Sequence, residues 1–284
     1  MSLIDSILNI VGVLLWFHWC SLRFDLLAGS TPTTLAGTLK RAEKRAVKHW
    51  RILGSLGGLL LLRAWLYWQI GSATSWTAKV DLGMIVLAFR SDLFTLSLLY
   101  SMLSFLRILV IAYFWLMALA VINWSVEGDQ LQRSVRLHLF KLGRAPRWVL
   151  VLTPAIVLIL AWIALHPLLV KAGLIEQAGS IGLLARQGLL LAISVYFSLK
   201  YFLPVVLLLH LVLNYVYLGR SPAWDFIGVT ARNMLAPVRN WPLRLGKVDF
   251  SPLVAAVLLL LLLDALPNYL AQKYPQARQW LWPH

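Results

Sequence analysis

Residues 253–263 read LVAAVLLLLLL, and comparable runs recur as LLLLRAWLYW at 59–68 and LLLHLVL at 207–213. Runs of this kind limit the fold more than any other feature of the chain. An α-helix needs about 20 mostly apolar residues to cross a bilayer, and inside the bilayer its own backbone groups must satisfy one another. With 60% of 284 residues hydrophobic and only 13% charged, the chain has too little polar surface for a soluble domain. The expected fold class is all-α: a polytopic membrane protein of about six transmembrane helices.

The predicted spans are 3–20, 52–70, 93–123, 148–170, 187–218 and 252–268. The third and fifth exceed the bilayer's needs and should tilt or project beyond it. LGMIVLAF at 82–89 is too short to cross and reads as an interfacial or re-entrant piece ahead of the third span. The N-terminal segment lacks a basic start and a small-residue cleavage site, so 3–20 reads as a retained span. Cys20, the single cysteine, follows Phe-His-Trp, which argues against a lipoprotein signal and excludes a disulfide framework or a cysteine metal site.

Charge placement orients the spans. Of the 26 Lys and Arg residues, seven fall in 21–51, five in 124–147 and five in 219–250. These segments alternate with pairs of spans, so the positive-inside rule makes them cytoplasmic and puts both termini outside. Three hairpins result, each with a basic cytoplasmic amphipathic segment: 1–80, 81–180, and 181–284 with its short tail. The expected location is a bacterial cell inner membrane in preference to a thylakoid.

Two of the segments carry matching helix starts, Thr31-Pro32 and Ser221-Pro222. A hydroxyl can cap free N–H groups, and proline suits the first helical position. After Pro32, Leu35, Leu39, Ala42, Ala46 and Trp50 share one face, while Lys40, Arg41, Lys44, Arg45 and Lys48 crowd the other. This is a basic interfacial face suited to anionic headgroups on the inner leaflet. Nucleic acid could use the same cations, but no base-reading motif accompanies them. Ile227, Ala231, Met234 and Leu235 form a similar apolar stripe in the third segment.

A shift of 96 positions places Arg51 on Arg147, Arg90 on Arg186, Tyr100 on Tyr196 and Phe105 on Tyr201. Either a parallel duplication or the chance alignment of two leucine-rich hairpins accounts for this.

Charges within spans are costly and therefore informative. Arg63 and Asp264 can be read as a snorkelling cation and a wetted carboxylate. Arg107 and Lys200 lie deeper and could pair with Asp264, line a polar cavity or approach an anionic ligand. His18, His166 and His210 fall in or near spans; contact between helices explains them better than haem ligation does. No nucleotide loop, metal cluster or catalytic triad is apparent, so no catalytic residue, metal or cofactor is expected.

The stretch LAPVRNWPLRLGKVDFSPLV at 235–254 departs from this pattern. Pro237 stops the preceding helix, Pro242 keeps the chain non-helical, and Gly246 allows close backbone approach. Arg239, Arg244 and Lys247 sit at headgroup height around Asp249, and Ser251-Pro252 repeats the helix start at the last span. Pro237-Val-Arg239, Pro242, Gly246 and Asp249-Phe-Ser251-Pro252, followed by a leucine-rich span, resemble the signature loop of the YggT family of small bacterial and plastid membrane proteins. Ser221-Pro222 and Thr230 fit the same repeat, and the resemblance covers about 185–270. Its members are associated with membrane-protein assembly, cofactor attachment to a photosynthetic cytochrome, nucleoid or division-related organisation, and osmotic tolerance. The resemblance thus implies a non-enzymatic accessory or scaffold protein whose partners are membrane lipids and other membrane proteins. Its contact loop would comprise Pro237, Arg239, Pro242, Arg244, Gly246, Asp249, Ser251 and Pro252. The alternative is a small transporter or channel for an anionic solute or ion, resting on the parallel repeats and on Arg107 and Lys200 at depth, with Asp264 the third intramembrane charge.

Overall fold

The computed structural model describes residues 2–25, 35–74, 77–82, 85–126, 135–136, 138–139, 142–143, 145–216, 219, 221–238, 243–245 and 248–273. Helices dominate: α1 (Ser2–Asp25), α2 (Leu35–Thr74), α3 (Phe94–Ile122), α4 (Arg147–Lys171), α5 (Ile181–Phe197), α6 (Leu199–Tyr215), α7 (Pro222–Leu235) and α8 (Ser251–Lys273). Two short antiparallel pairs interrupt them: β1 (Thr77–Asp81) with β2 (Val86–Arg90), and β3 (Arg244–Leu245) with β4 (Val248–Asp249).

Four helical segments are long and apolar enough to cross a membrane: Leu3–Leu22, Phe94–Ile122, Arg147–Lys171 and Ile181–Tyr215. The predicted span 52–70 lies inside α2, where Arg63, Gln69 and three glycines dilute its apolar character. The last predicted span lies inside α8, whose apolar part is the shorter stretch Ser251–Ala265. The basic segment is helical from residue 35, as its periodicity predicts, but it continues unbroken into the apolar stretch to make one helix of 40 residues. Thr31-Pro32 and the side chains of Lys40, Arg41, Lys44, Arg45 and Lys48 lie outside the described residues.

The re-entrant reading of 82–89 is corrected. Alternation, not a continuous apolar run, governs this region: Ala78, Val80, Leu87 and Phe89 are buried while their neighbours face outward. Strand pairing therefore satisfies backbone groups that too short a helix would leave exposed. Gly71 is what lets α2 meet the turn after this hairpin, because a Cβ there would lie 2.1 Å from the Ser91 Cβ.

The fifth span starts at 181, six residues before its predicted start, because Ser180 accepts a hydrogen bond from the Leu183 N–H and caps it. The same span is interrupted at Ser198, six residues ahead of Pro204. Proline lacks the donor and crowds the carbonyl four residues back, which weakens the helix there. The 96-residue offset is not reproduced in the elements. Arg147 opens α4 whereas Arg51 lies within α2, and Arg90 ends a strand whereas Arg186 is helical.

The chain forms two compact units, residues 1–112 with 169–176, and residues 113–168 with 177–284. In the first, Gly12 brings α1 against Phe105 of α3 and Leu56 of α2. In the second, Val206, Leu207, Ala231, Ala255 and Ala256 form a core shared by α6, α7 and α8. Gly188 lies against the Ile159 backbone, close packing of the kind small residues allow between membrane helices.

Candidate functional site

In the segment preceding the last helix, Ser221, Pro222, Pro237, Ser251 and Pro252 each have a definable task. Ser221 accepts from the Ala223 N–H, and Pro222 takes the first turn of α7. The stripe predicted at Ile227, Ala231, Met234 and Leu235 packs against α6 and α8, so it serves the protein core in place of the lipid surface. Pro237 lies in a 3-10 turn, Ala236–Val238, that ends α7. In the β3–β4 pair, Arg244 is the backbone partner of Asp249 and Leu245 that of Val248. The Phe250 N–H closes the pair by donating to Leu243 O at 3.2 Å. Ser251 then opens α8, with Pro252 fully buried behind it. Arg239, Pro242, Gly246 and Lys247 lie outside the described residues, as do the side chains of Arg244 and Asp249.

Thr230 ties this segment to the rest of its unit. Its hydroxyl accepts from Asn123 Nδ2 at 2.7 Å and donates to Phe226 O, while Asn233 Nδ2 donates to Asn123 Oδ1 at 2.9 Å. Asn123 is fully buried just beyond the end of α3, so both halves of its amide are satisfied by α7.

Of the charges read as intramembrane, Arg63, Lys200 and Asp264 fall into two ion pairs and Arg107 into none among the described residues. Lys200 and Asp264 meet at 2.6 Å across α6 and α8, one of the pairings expected from sequence. Arg107 is half-buried on α3 and joins no ion pair among the described residues. The snorkelling reading of Arg63 is corrected: it is 1% exposed and bonds Asp5 at 2.5 Å. Its Nη1 donates to Asn9 Oδ1 at 2.8 Å and its Nη2 also to Ser104 Oγ at 2.8 Å. The Tyr67 and Tyr100 hydroxyls donate to the two Asp5 oxygens at 2.6 and 2.9 Å. A buried guanidinium with a paired carboxylate and several hydrogen bonds costs far less than one facing hydrocarbon.

Sequence reasoning missed Asp5, Asn9, Tyr67, Tyr100 and Ser104, although a signal existed. Asp5/Asn9, Arg63/Tyr67 and Tyr100/Ser104 are each four residues apart, hence on one face of a helix. Of the histidines, His18 is exposed, and His166 is buried edge-on to Trp162 at 6.1 Å. Among the described residues no group of three or more His, Cys, Asp or Glu could hold a metal.

These helices and their paired intramembrane charges define a polytopic helical membrane protein. Residues 187–270, from within α5 to within α8, match the family model described as CCB3/YggT, so the likeness to that family lies in the C-terminal part of the chain. No curated protein and no solved structure matches the chain.

Proposed function

We propose that this is a non-enzymatic accessory or scaffold protein that binds other membrane proteins or assists their assembly. In this reading α2 and α8 cross the bilayer with the four longer apolar segments, giving six spans in three hairpins. The basic segments face the cytoplasm against anionic lipid of a bacterial inner membrane. The observation that carries the reading is the loop between α7 and α8, inside the segment that matches CCB3/YggT. It is held at both ends, by the 3-10 turn at 236–238 and by the β3–β4 pair. The 3-10 turn and the strand pair are ordered points beside which a partner would bind, and backbone already ordered before binding lowers the cost of association.

Channel or transporter chemistry for an anion asks for a free cation in the membrane. Lys200 is engaged by Asp264, which removes one of the two cations that alternative rests on and leaves it Arg107, half-buried and in no ion pair among the described residues.

The test is crosslinking and mass spectrometry on native membranes. Arg239→Ala and Asp249→Ala should leave insertion intact and remove a stoichiometric co-purifying membrane protein. Recovery of no such partner from the unaltered protein would sink the proposal.

A further inference from the structure

We infer that the outer face of α6 and α8 binds a second copy of this chain, with the Lys200–Asp264 pairs of the two copies forming a four-charge ring. The inference rests on the reading above in one respect, that α8 lies in the bilayer.

Asp264 is not directed into its own bundle. Leu253, Val257, Leu260, Leu261 and Asp264 share one face of α8, opposite the face on which Ala255 and Ala256 are buried. Those leucines and Val257 are 39–59% exposed, and the Asp264 side chain is 59% exposed. Lys200 reaches round from α6 to meet it and keeps 26% of its own side chain exposed. Beside it, Tyr201, Val205, Leu208 and Val212 continue the face along α6.

Depth makes this exposure costly. Asp264 lies thirteen residues into α8 from Ser251, and Lys200 fifteen residues before the end of α6 at Tyr215, about 20 Å and about 22 Å along the two helices. Both estimates place the pair within a hydrocarbon core of about 30 Å, in its far third, with Asp264 one residue short of the end of the apolar stretch Ser251–Ala265. An ion pair open to lipid at that depth has no solvent for the outward side of its carboxylate, and such groups ordinarily face protein.

The choice of a second copy follows from the sign of the charges. The face carries one cation and one anion side by side, so it is complementary to itself. A two-fold axis through the α8 stripe places each Asp264 carboxylate beside the other copy's Lys200 ammonium, and the apolar side chains pack around the ring. A different partner would have to bring both charges at the same spacing and depth.

The experiment uses the full-length protein in lipid vesicles, in a Cys20→Ser background. Leu261→Cys should form a disulfide-linked dimer on mild oxidation, whereas Trp148→Cys, exposed on α4, should not. Lys200→Asp or Asp264→Lys alone should lower Leu261→Cys crosslinking about tenfold. Mixing the two single variants under different tags should restore it between unlike copies, because only the intermolecular pairs are then complementary. A monomer in vesicles, crosslinking indifferent to charge reversal, or no rescue in the mixture would overturn the proposal. So would capture of another protein on this face in place of a second copy. Free labelling of Leu261→Cys by a water-soluble maleimide would overturn both the ring and the membrane placement of α8. An unlabelled monomer would overturn the ring alone.

Discussion

Two ion pairs of the same chemistry sit in the two units of this molecule, and they are finished to different degrees. Asp5–Arg63 in the N-terminal unit has 18% and 1% exposure, and four neighbouring polar side chains from three helices complete it. Lys200–Asp264 in the C-terminal unit joins two helices, stays open on its outer side, and has the Tyr201 ring 5.2 Å from the Lys200 Nζ as a further contact. The first charge pair can serve only to hold its own unit together. The second keeps the capacity to bind something else. Cost in hydrocarbon, not number of charges, separates them.

That contrast can be broken most directly at Arg63. Arg63→Ala leaves the Asp5 carboxylate unpaired and should destabilise the protein by about 3–5 kcal/mol. Denaturation in mixed micelles checks it, and a loss below 1 kcal/mol would place the Asp5 end of α1 in water. A smaller effect is expected in the C-terminal unit away from its ion pair. Asn123→Ala takes the acceptor from the Asn233 amide and one of two hydrogen bonds from the buried Thr230 hydroxyl, and should cost about 1–3 kcal/mol by the same assay. Tyr100→Phe removes one of the hydrogen bonds to Asp5 and should cost about 1 kcal/mol, with Tyr67→Phe similar; a double-mutant cycle with Arg63 reports their coupling. Lys200→Ala should change the stability of the micellar monomer least, by about 1 kcal/mol or less, since micelles admit water to the open outer side of the pair, where Asp264 is 59% exposed. If its loss equals that of Arg63→Ala in monomeric protein, the two pairs are equivalent and the comparison fails.

Legibility from sequence follows the range of the interactions. Apolar runs showed where α3 and α4 lie to within a residue, and Ser221-Pro222 marked the start of α7, because caps and hydrophobic length act over a few residues. The 77–90 hairpin was misread for a local reason: apolar count was weighed above the alternation at Ala78, Val80, Leu87 and Phe89. In the candidate loop, the order of prolines, Asp249 and Ser251 carried the family resemblance, and residues 187–270 bear it out. The pairing of Arg244 with Asp249 became visible only with the strand register.

By itself the sequence determined a helical membrane protein, the placement of its longest spans and a family resemblance in its last third. Each of these depends on residue type and near-neighbour spacing. The tertiary structure decided which costly groups meet: Arg63 with Asp5, 58 residues away, Asn123 with Thr230, 107 away, and Lys200 with Asp264, 64 away. It also decided which faces stay open. A helix's period reveals that one side differs from another, but which side is covered depends on where the other helices pack.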